Sequence, residues 1–563
     1  MQIPKILFIL FLLFPSFIFS QNMSPGFQEK ANYSIDRLSI QSRKNPSFFT
    51  ALKYYQVKDM VAFASSFDTL TNSNQDLDYL KTQYNYWVDS NDFTLEKEKS
   101  GKFIKDFFSN FYRHPNALFE SASKDHYIEL NPLFQFGMGK DSYDNSLNFL
   151  NQRGIAINAM IDNKVYFYTH ILESQARFTS NIRDRFEETG VLLGAGFVKS
   201  YNSLLFDIED GNDFLLAQAH LGFNLSKNID LQFGHGRNFI GNGYRSLLLS
   251  DRSPEYLYLK LNWKFGKKII LQNIFAELTE ESNKPGPDVT LPKKYMAAHY
   301  LGFKLFDQLD IGFFEAVIFD REEGFELQYL NPIIFYRTVE GMIGSPDNVL
   351  LGADFKWNLP WKTQLYGQLL VDEIKFDELF VNNEQWWANK WGVQLGLKAV
   401  DAFTISNLDF QFEFNTVRPY TYAHRSLQTN YSHYEQELAH PLGANFREFI
   451  ARANYRVGSS LALCAQYISF LKGLDDGDLN YGGNIMLPYD TRVSDYGNNI
   501  GQGVKTNVKL LSLDLTYSPF HNIFIDLNYI FRREDREDEN TDRNINYFGA
   551  TLRMNIDKYP NDF

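Results

Sequence analysis

The sequence lacks most of the features that hold together or anchor an exported protein. Its single cysteine, Cys464, has no partner for an intramolecular disulfide. Beyond residue 20, no apolar run reaches the roughly 18 residues of a membrane-spanning helix. Hydrolase, zinc-protease and redox motifs are missing, and a net charge of −13 disfavours a nucleic-acid partner. The sequence therefore predicts a protein that is not an enzyme and that has no cofactor and no metal site.

The amino terminus is typical of an exported chain. Lys5 precedes an apolar run at Ile6–Phe14, and Pro15 interrupts the apolar character before Ser20. A basic residue, a short apolar core and a small residue are the parts of a secretory signal. We therefore predict a signal peptide over residues 1–20. The alternative, a membrane anchor helix, would need a longer uninterrupted run.

Apolar and polar residues alternate strictly in many segments from about residue 127 to the end of the chain. One such segment has an apolar face made of Leu215, Ala217, Ala219, Leu221, Phe223 and Leu225. Phe412 likewise alternates with Glu413, and Leu552 with Arg553. A period of two indicates strands with one apolar and one polar face. In a soluble sandwich the apolar face points inward, whereas in a membrane barrel it faces lipid and the polar face lines the lumen.

The connections between these strands are alternately short and long. Tight turns at 162–164 and 226–228 contrast with long segments at 178–213, 236–255 and 416–445. Outer-membrane barrels have short periplasmic turns and long external loops, and a soluble sandwich has no reason to share that rhythm. Aromatic residues form 16% of the chain, as girdles at both membrane interfaces would require. We predict an all-β fold, a transmembrane outer-membrane β-barrel of about 18 antiparallel strands over residues 126–563.

Residues 21–125 lack the alternation. Residues 100–113 carry phenylalanines at helical spacings of three and four, and residues 72–88 are a second candidate helix. We predict a small, partly helical periplasmic segment that caps or plugs the barrel. The alternative is an ordinary leader that merely covers the end of the barrel.

Arginine, aromatic and amide side chains concentrate in two long loops, 236–246 and 418–424. Aromatic rings can stack on sugar rings, while Arg and Asn hydrogen-bond to hydroxyl or acidic groups. The predicted ligand-binding residues are Arg237, Asn238, Tyr244, Arg245, Arg418, Tyr420 and Tyr422. The alternative is that these side chains bond the loops to each other and plug the barrel.

Two other loop features affect the functional prediction. Residues 325–337 are largely apolar where a solvent loop should be polar, so we expect them to fold into the lumen or across its mouth. Histidines and glutamates share the loop around residues 424–440 at spacings that match no usual metal site. A solvated or hydrogen-bonded loop is the favoured interpretation of that cluster.

Four strings carry a family resemblance: FGHGRNFIGNGYRSLLLSD (233–251), ELQYLNPIIFYR (326–337), GSPDNVLLGADFKW (344–357) and HPLGANFRE (440–448). They resemble the Wzi-type capsule-assembly barrels, in particular the branch that contains the gliding-motility protein RemB. The resemblance implies an outer-membrane barrel with a periplasmic helical segment. It also implies that the barrel acts as a lectin for capsular polysaccharide. For the gliding branch it implies a surface role in motility. It transfers fold more safely than ligand.

The leading prediction is a cell outer-membrane barrel that binds or assembles surface polysaccharide and serves adhesion or gliding. Its expected partners are membrane lipid, extracellular polysaccharide and surface or gliding-machinery proteins. The main alternative is a diffusion or uptake channel, because about 18 strands leave an aqueous lumen if no loop fills it. A barrel enzyme is the third possibility, and no nucleophile paired with a base supports it.

Overall fold

The computed structural model describes residues 29–67, 75–84, 114–123, 126–143, 147–162, 164–203, 208–280, 290–321, 324–344, 347–382, 384–538 and 542–558. The predicted signal peptide and the predicted helix at 100–113 lie outside the described residues. The proposed divisions of the chain after residues 20 and 125 stay predictions.

Alternating sequence segments form the strands. In chain order these are β1 (Phe119–Ala122), β2 (His126–Asp141), β3 (Leu147–Ile161), β4 (Val165–Arg177), β5 (Val198–Ser203), β6 (Ile208–Ser226), β7 (Ile229–Gly236), β8 (Tyr256–Phe265), β9 (Ile269–Thr279), β10 (Lys293–Phe306), β11 (Leu309–Phe319), β12 (Asn348–Leu359), β13 (Thr363–Glu373), β14 (Lys390–Ala399), β15 (Leu408–Val417), β16 (Ser432–His433), β17 (Gln436–Glu437), β18 (Phe446–Val457), β19 (Leu461–Leu474), β20 (Val504–Phe520), β21 (Ile523–Arg536) and β22 (Arg543–Met554).

Eighteen of these strands form a closed antiparallel barrel, which confirms the predicted fold class. Strand β22 pairs with β2, from Phe134 opposite Met554 to Asp141 opposite Tyr547, and this pairing closes the wall. The short strand β1 pairs with the first residues of β2, and β5 pairs with the first residues of β6. Strands β16 and β17 form a separate small hairpin.

The two faces of the strands divide as the alternation predicts. On β15, Phe412 is 41% exposed and Glu413 is 1% exposed. On β22, Leu552 is exposed on the outside while Arg553 is buried and pairs with Asp526 inside. Because a strand turns successive side chains to opposite faces, one face meets lipid and the other the lumen.

Helices are few among the described residues: α1 (Glu29–Ser42), α2 (Val57–Ser65), α3 (Gln75–Gln83), α4 (Ser180–Thr189) and α5 (Tyr336–Ile343). Helix α3 lies inside the candidate range 72–88. Within the described parts of the chain, no helix is long and apolar enough to cross a membrane.

Helices α1 to α3 occupy the end of the barrel where the turns are short. They pack on Tyr127, Met160 and Tyr166 of the strand ends and form one apolar cluster with them. Arg37 on α1 bridges Asp76 on α3 at 2.8 Å and also pairs with Asp409 of β15. A guanidinium shared by two buried carboxylates fixes these helices to the wall.

The N-terminal segment and a long loop meet inside the barrel. The backbone N–H of Gly241 donates to the carbonyl of Ala51 at 2.7 Å, and Leu52 forms a β-bridge with Ile240. The Asn242 side chain also donates to Asp354, which projects inward from β12. Two segments that enter from opposite ends therefore touch within the lumen.

The position of the apolar loop corrects the expectation from the sequence. Residues 325–343 lie neither in the lumen nor across the mouth, because Tyr329, Tyr336 and Val339 pack on outward-facing Phe275 and Val317. The inward positions of these strands are already filled by residues such as Ile274 and Ala316 of a different cluster. Because the lumen at these strands is already filled, the apolar loop buries its side chains on the outside of the wall instead.

Candidate functional site

A cavity of about 1840 Å³ lies between the N-terminal helices and the long loops. Its wall is made by the inner faces of strands β2 to β4 and β18 to β22, and by residues of α1 and α4. The loop between β7 and β8 (237–255) forms one further side, with Arg237, Tyr244 and Arg252 at the cavity. The opposite half of the lumen is filled by the apolar cluster that includes Leu247, Leu248 and Leu249 of the same loop.

Inward-facing polar residues of the wall hold this loop in place. Glu413 accepts hydrogen bonds from the backbone N–H groups of Tyr244 at 2.7 Å and Arg245 at 3.0 Å. Gln368 accepts from the N–H of Leu247 at 2.7 Å and donates to the carbonyl of Ile240 at 3.0 Å. A buried loop must satisfy its backbone polar groups, and the strand side chains provide the partners.

Three arginine side chains surround the ring of Tyr244 on the cavity wall. The guanidinium carbons of Arg452, Arg245 and Arg252 lie 4.6, 4.8 and 5.7 Å from the centroid of its ring. Tyr244, Arg252 and Arg452 line the cavity, whereas Arg245 is buried behind them. The phenol and the guanidiniums together form a set of hydrogen-bond donors suited to hydroxyl or acidic oxygens.

Arg237 also lines the cavity, but protein groups engage its side chain. Its Nη2 lies 2.9 Å from Glu255 Oε1 and donates to the carbonyl of Gly194 at 2.6 Å. Its Nη1 donates to the carbonyl of Asp251 at 3.4 Å. Arg237 therefore joins the loop 237–255 to the connection that contains α4, with one edge at the cavity.

Two other predicted ligand residues of this loop are buried. Asn238 donates to the hydroxyl of Tyr256 at 3.3 Å and accepts from Lys260 at 3.1 Å. Arg245 is 1% exposed and its Nη2 lies 3.4 Å from Glu448 Oε1. Their contacts are those of the plug alternative that the sequence left open.

The predicted residues of the second loop are buried in the same way. Arg418 donates to Gln385 at 2.6 Å and to the carbonyl of Trp386 at 3.1 Å, and burial lowers its pKa to about 10. The hydroxyl of Tyr420 donates to the carbonyl of Asn480 at 2.9 Å, and that of Tyr422 to the carbonyl of Leu247 at 2.7 Å. Arg418 and Tyr420 therefore bind this loop to other external loops, and Tyr422 binds it to the loop 237–255 in the lumen.

The histidines of this loop bond to protein groups. His433 accepts a hydrogen bond from the N–H of Thr279 at 2.9 Å, and burial lowers its pKa to about 3. His440 lies 2.7 Å from Glu448, and His424 lies 2.6 Å from the hydroxyl of Thr429. The neighbouring Glu435 and Glu437 line the cavity instead.

Sequence reasoning missed Arg252 and Arg452 as site residues. Arg452 lies on the inward face of β18, and the alternation around it could have indicated its direction. Arg252 lies in the same loop as Tyr244, but no spacing rule places its guanidinium beside the Tyr244 ring. Only the fold of the loop inside the barrel brings them within reach of each other.

A closed wall, short turns and packed helices at one end, and long loops at the other end define an outer-membrane barrel whose lumen is partly filled. The chain belongs to the capsule assembly protein Wzi family, whose model matches residues 149–537. No curated protein sequence matches the chain.

The chain is similar to several solved structures, to different degrees. Wzi of Escherichia coli, described as a carbohydrate-binding β-barrel involved in group 1 capsule assembly, is 10% identical with a TM-score of 0.56. That match covers 95% of this chain and 99% of the other. OccAB2 of Acinetobacter baumannii is 10% identical with a TM-score of 0.40, over 77% of this chain and 99% of its own. OprD of Pseudomonas aeruginosa is 11% identical with a TM-score of 0.40, over 76% and 92%.

Proposed function

We propose that this barrel binds extracellular polysaccharide and holds it at the cell surface. The observation that carries the proposal is the group formed by Tyr244, Arg252 and Arg452 on the wall of the large cavity. Phenol and guanidinium donors suit polymers rich in hydroxyl and carboxylate oxygens. Membership of a capsule assembly family, and the description of the Escherichia coli barrel as carbohydrate-binding, support the same function.

The seven residues predicted from the sequence take two roles in this proposal. Arg237 and Tyr244 reach the cavity and contact the polymer. The positioning residues, which keep the loops in place around the cavity without contacting the polymer, are Asn238, Arg245, Arg418, Tyr420 and Tyr422. Their side chains are almost completely buried, and each has a protein partner within hydrogen-bond distance.

Surface polysaccharide on intact cells tests the proposal. Tyr244→Ala combined with Arg252→Ala should release polymer into the medium while the protein still reaches the membrane in normal amount. The backbone N–H of Tyr244 donates to Glu413, and the alanine variant keeps that bond. Tyr496→Ala is a matched control, because this exposed external tyrosine is not part of the cavity wall. Unchanged surface polymer in the double variant would contradict the proposal.

Arg237→Ala and Arg418→Ala separate contact from positioning. Arg237→Ala should lower polymer retention with a normally folded barrel, although the loss of its Glu255 partner weakens the loop. Arg418→Ala should loosen the external loops first, because it leaves Gln385 without its charged donor. Greater protease sensitivity of the loops, measured before any binding assay, is the expected sign of a positioning role.

Contacts that obstruct the lumen argue against the alternative of a diffusion or uptake channel. Residues 49–53 and 239–242 touch inside the barrel, and an apolar cluster fills one side of it. We therefore propose low conductance in planar bilayers. Large, steady single-channel currents would favour a channel over a polysaccharide-binding barrel.

The finer predictions from the sequence rest on the resemblance, except the absence of catalysis, which rests on the missing motifs. A role in adhesion or gliding, kinship with the RemB branch, protein partners from a gliding machinery and the absence of catalysis all stay predictions. Spreading of a deletion strain on agar, complemented with the Tyr244 variant, tests whether polymer retention and movement are connected.

A further inference from the structure

The loop between β11 and β12 places an apolar surface on the outside of the barrel. We propose that residues 325–343, which we name the flap, lie among the acyl chains of the outer leaflet of the membrane. The flap comprises a short 3-10 turn at Leu327–Leu330 and helix α5. This inference concerns the membrane rather than the polysaccharide site and does not depend on the proposed function.

The flap is fixed to a polar row on the outward face of the wall. Asn273, His299 and Glu315 are direct neighbours in the register of β9, β10 and β11. Such side chains would be costly against hydrocarbon, and the outward face of a barrel normally avoids them. Their presence in one row indicates that something covers them.

The flap bonds to or packs on each residue of this row. Asn273 donates to the carbonyl of Pro332 at 3.0 Å. Glu315 accepts from the backbone N–H groups of Tyr336 and Arg337, both at 3.0 Å, and so caps the start of α5. His299 lies 2.9 Å from Glu315, and its ring packs on that of Tyr336 with centroids 4.4 Å apart.

The row lies within the membrane belt. His299 is seven residues up β10 from Phe306 at the short turn. A rise of about 3.4 Å per residue and a tilt of about 40° put it roughly 18 Å above that turn, inside an apolar belt about 25 Å tall. Leu351, which pairs directly with Glu315, is 44% exposed beside the flap, as a lipid-facing residue would be.

The free surface of the flap continues this belt. Its exposed large apolar side chains are Leu327, Leu330, Ile333, Phe335 and Met342, and they lie beside a few exposed polar residues such as Gln328. Ile333 is 74% exposed and Phe335 is 70% exposed, which is unusual for a loop in water. The exposed Arg337 pairs with Glu340 at 3.2 Å on the same helix. Apolar side chains with an arginine at their edge are typical of a segment at the boundary of acyl chains and headgroups.

The occupant is therefore lipid rather than a protein partner, because exposed wall residues of the same character flank the flap. A protein partner would have to displace lipid from Leu351 and its neighbours to reach Phe335. The polar row and the apolar surface of the flap depend on each other. The row holds the flap against the wall by hydrogen bonds, and the flap covers the row with apolar side chains that can face lipid.

Nitroxide labels in phosphatidylcholine vesicles test the proposal. Ile333→Cys and Phe335→Cys are each made in a Cys464→Ser background, so that the label has one site. Phe313→Cys on the lipid face of β11 and Leu479→Cys in an external loop are the matched controls, since both side chains are about half exposed. The ratio of oxygen to nickel-chelate accessibility at the flap should equal that at Phe313 and exceed that at Leu479 at least severalfold.

A ratio at Ile333 and Phe335 equal to that at Leu479 would overturn the proposal and leave the flap as a surface for a protein. Glu315→Leu adds a second measurement with an apolar wall that still suits lipid. It removes the cap of α5, so the label at Phe335 should become more mobile while staying accessible to oxygen. Unchanged mobility would show that the row does not anchor the flap, which contradicts the argument for its position.

Discussion

Glu413 holds the loop 237–255 in the lumen, and its replacement by glutamine tests that arrangement. One carboxylate oxygen accepts from the N–H of Tyr244 at 2.7 Å and the hydroxyl of Tyr366 at 2.8 Å. The other accepts from the N–H of Arg245 and from Asn415, both at 3.0 Å. Glutamine has the same shape but one oxygen, so its amide nitrogen would face two donors.

The expected cost follows from these four bonds. Hydrogen bonds to a charged group contribute about 1.5–3 kcal/mol each, and an unsatisfied buried donor costs about 1–3 kcal/mol. We expect Glu413→Gln to lower the free energy of local loop opening by about 3 kcal/mol, since the loop can shift to keep part of the bonding. Each 1.4 kcal/mol is tenfold, so the open loop should become about a hundred times more populated.

Amide hydrogen exchange at Tyr244 and Arg245 measures this opening. Exchange should be about a hundred times faster in Glu413→Gln than in the wild type, with the barrel still closed. Glu373→Gln is the matched control, because the Glu373 side chain is 51% exposed at the outer end of β13 and contacts no part of this loop. Equal exchange rates in wild type and Glu413→Gln would refute the role of this carboxylate.

Three further outcomes test the barrel. Phe412→Lys should lower the free energy of unfolding by about 2–4 kcal/mol because it puts a charge against lipid, and Gln411→Lys should cost less; equal costs would refute the strand register. A tag at Asp538 should be labelled on intact cells and one at Gly266 should not, and the reverse result would invert the topology. His433, with its pKa lowered to about 3, is neutral when buried, so its contribution to loop stability is complete above about pH 6.5 and falls below it. At pH 5 the loss from His433 is about 2 kcal/mol. Proteolysis of the loop should quicken there more in the wild type than in His433→Gln, which keeps His424 and His440, whose pKa values burial also lowers.

The sequence was most informative where periodicity alone decides the structure. Strict alternation gave each barrel strand and its inward face, because a strand has only two faces and lipid accepts only one of them. The rhythm of short and long connections gave the two ends of the barrel. Neither inference needs knowledge of distant contacts.

The long loops were less predictable because their contacts are non-local. Arg245 and Tyr422 are of residue types that suit sugar binding, yet both are buried against other segments of the chain. The flap shows the same limit, since its apolar character was evident but its direction was not. Asn273, His299 and Glu315 interrupt the lipid face of three neighbouring strands, and that interruption is the signal that could have placed the flap outside.

Direct binding of polysaccharide to the purified barrel tests the central claim most directly. Titration calorimetry in detergent would use capsular polysaccharide purified from the cells that produce this protein. The wild type should bind it, and Tyr244→Ala with Arg252→Ala should bind at least tenfold more weakly, while Tyr496→Ala binds as the wild type does. No binding by the folded wild-type barrel, or equal binding by the double variant, would contradict the account.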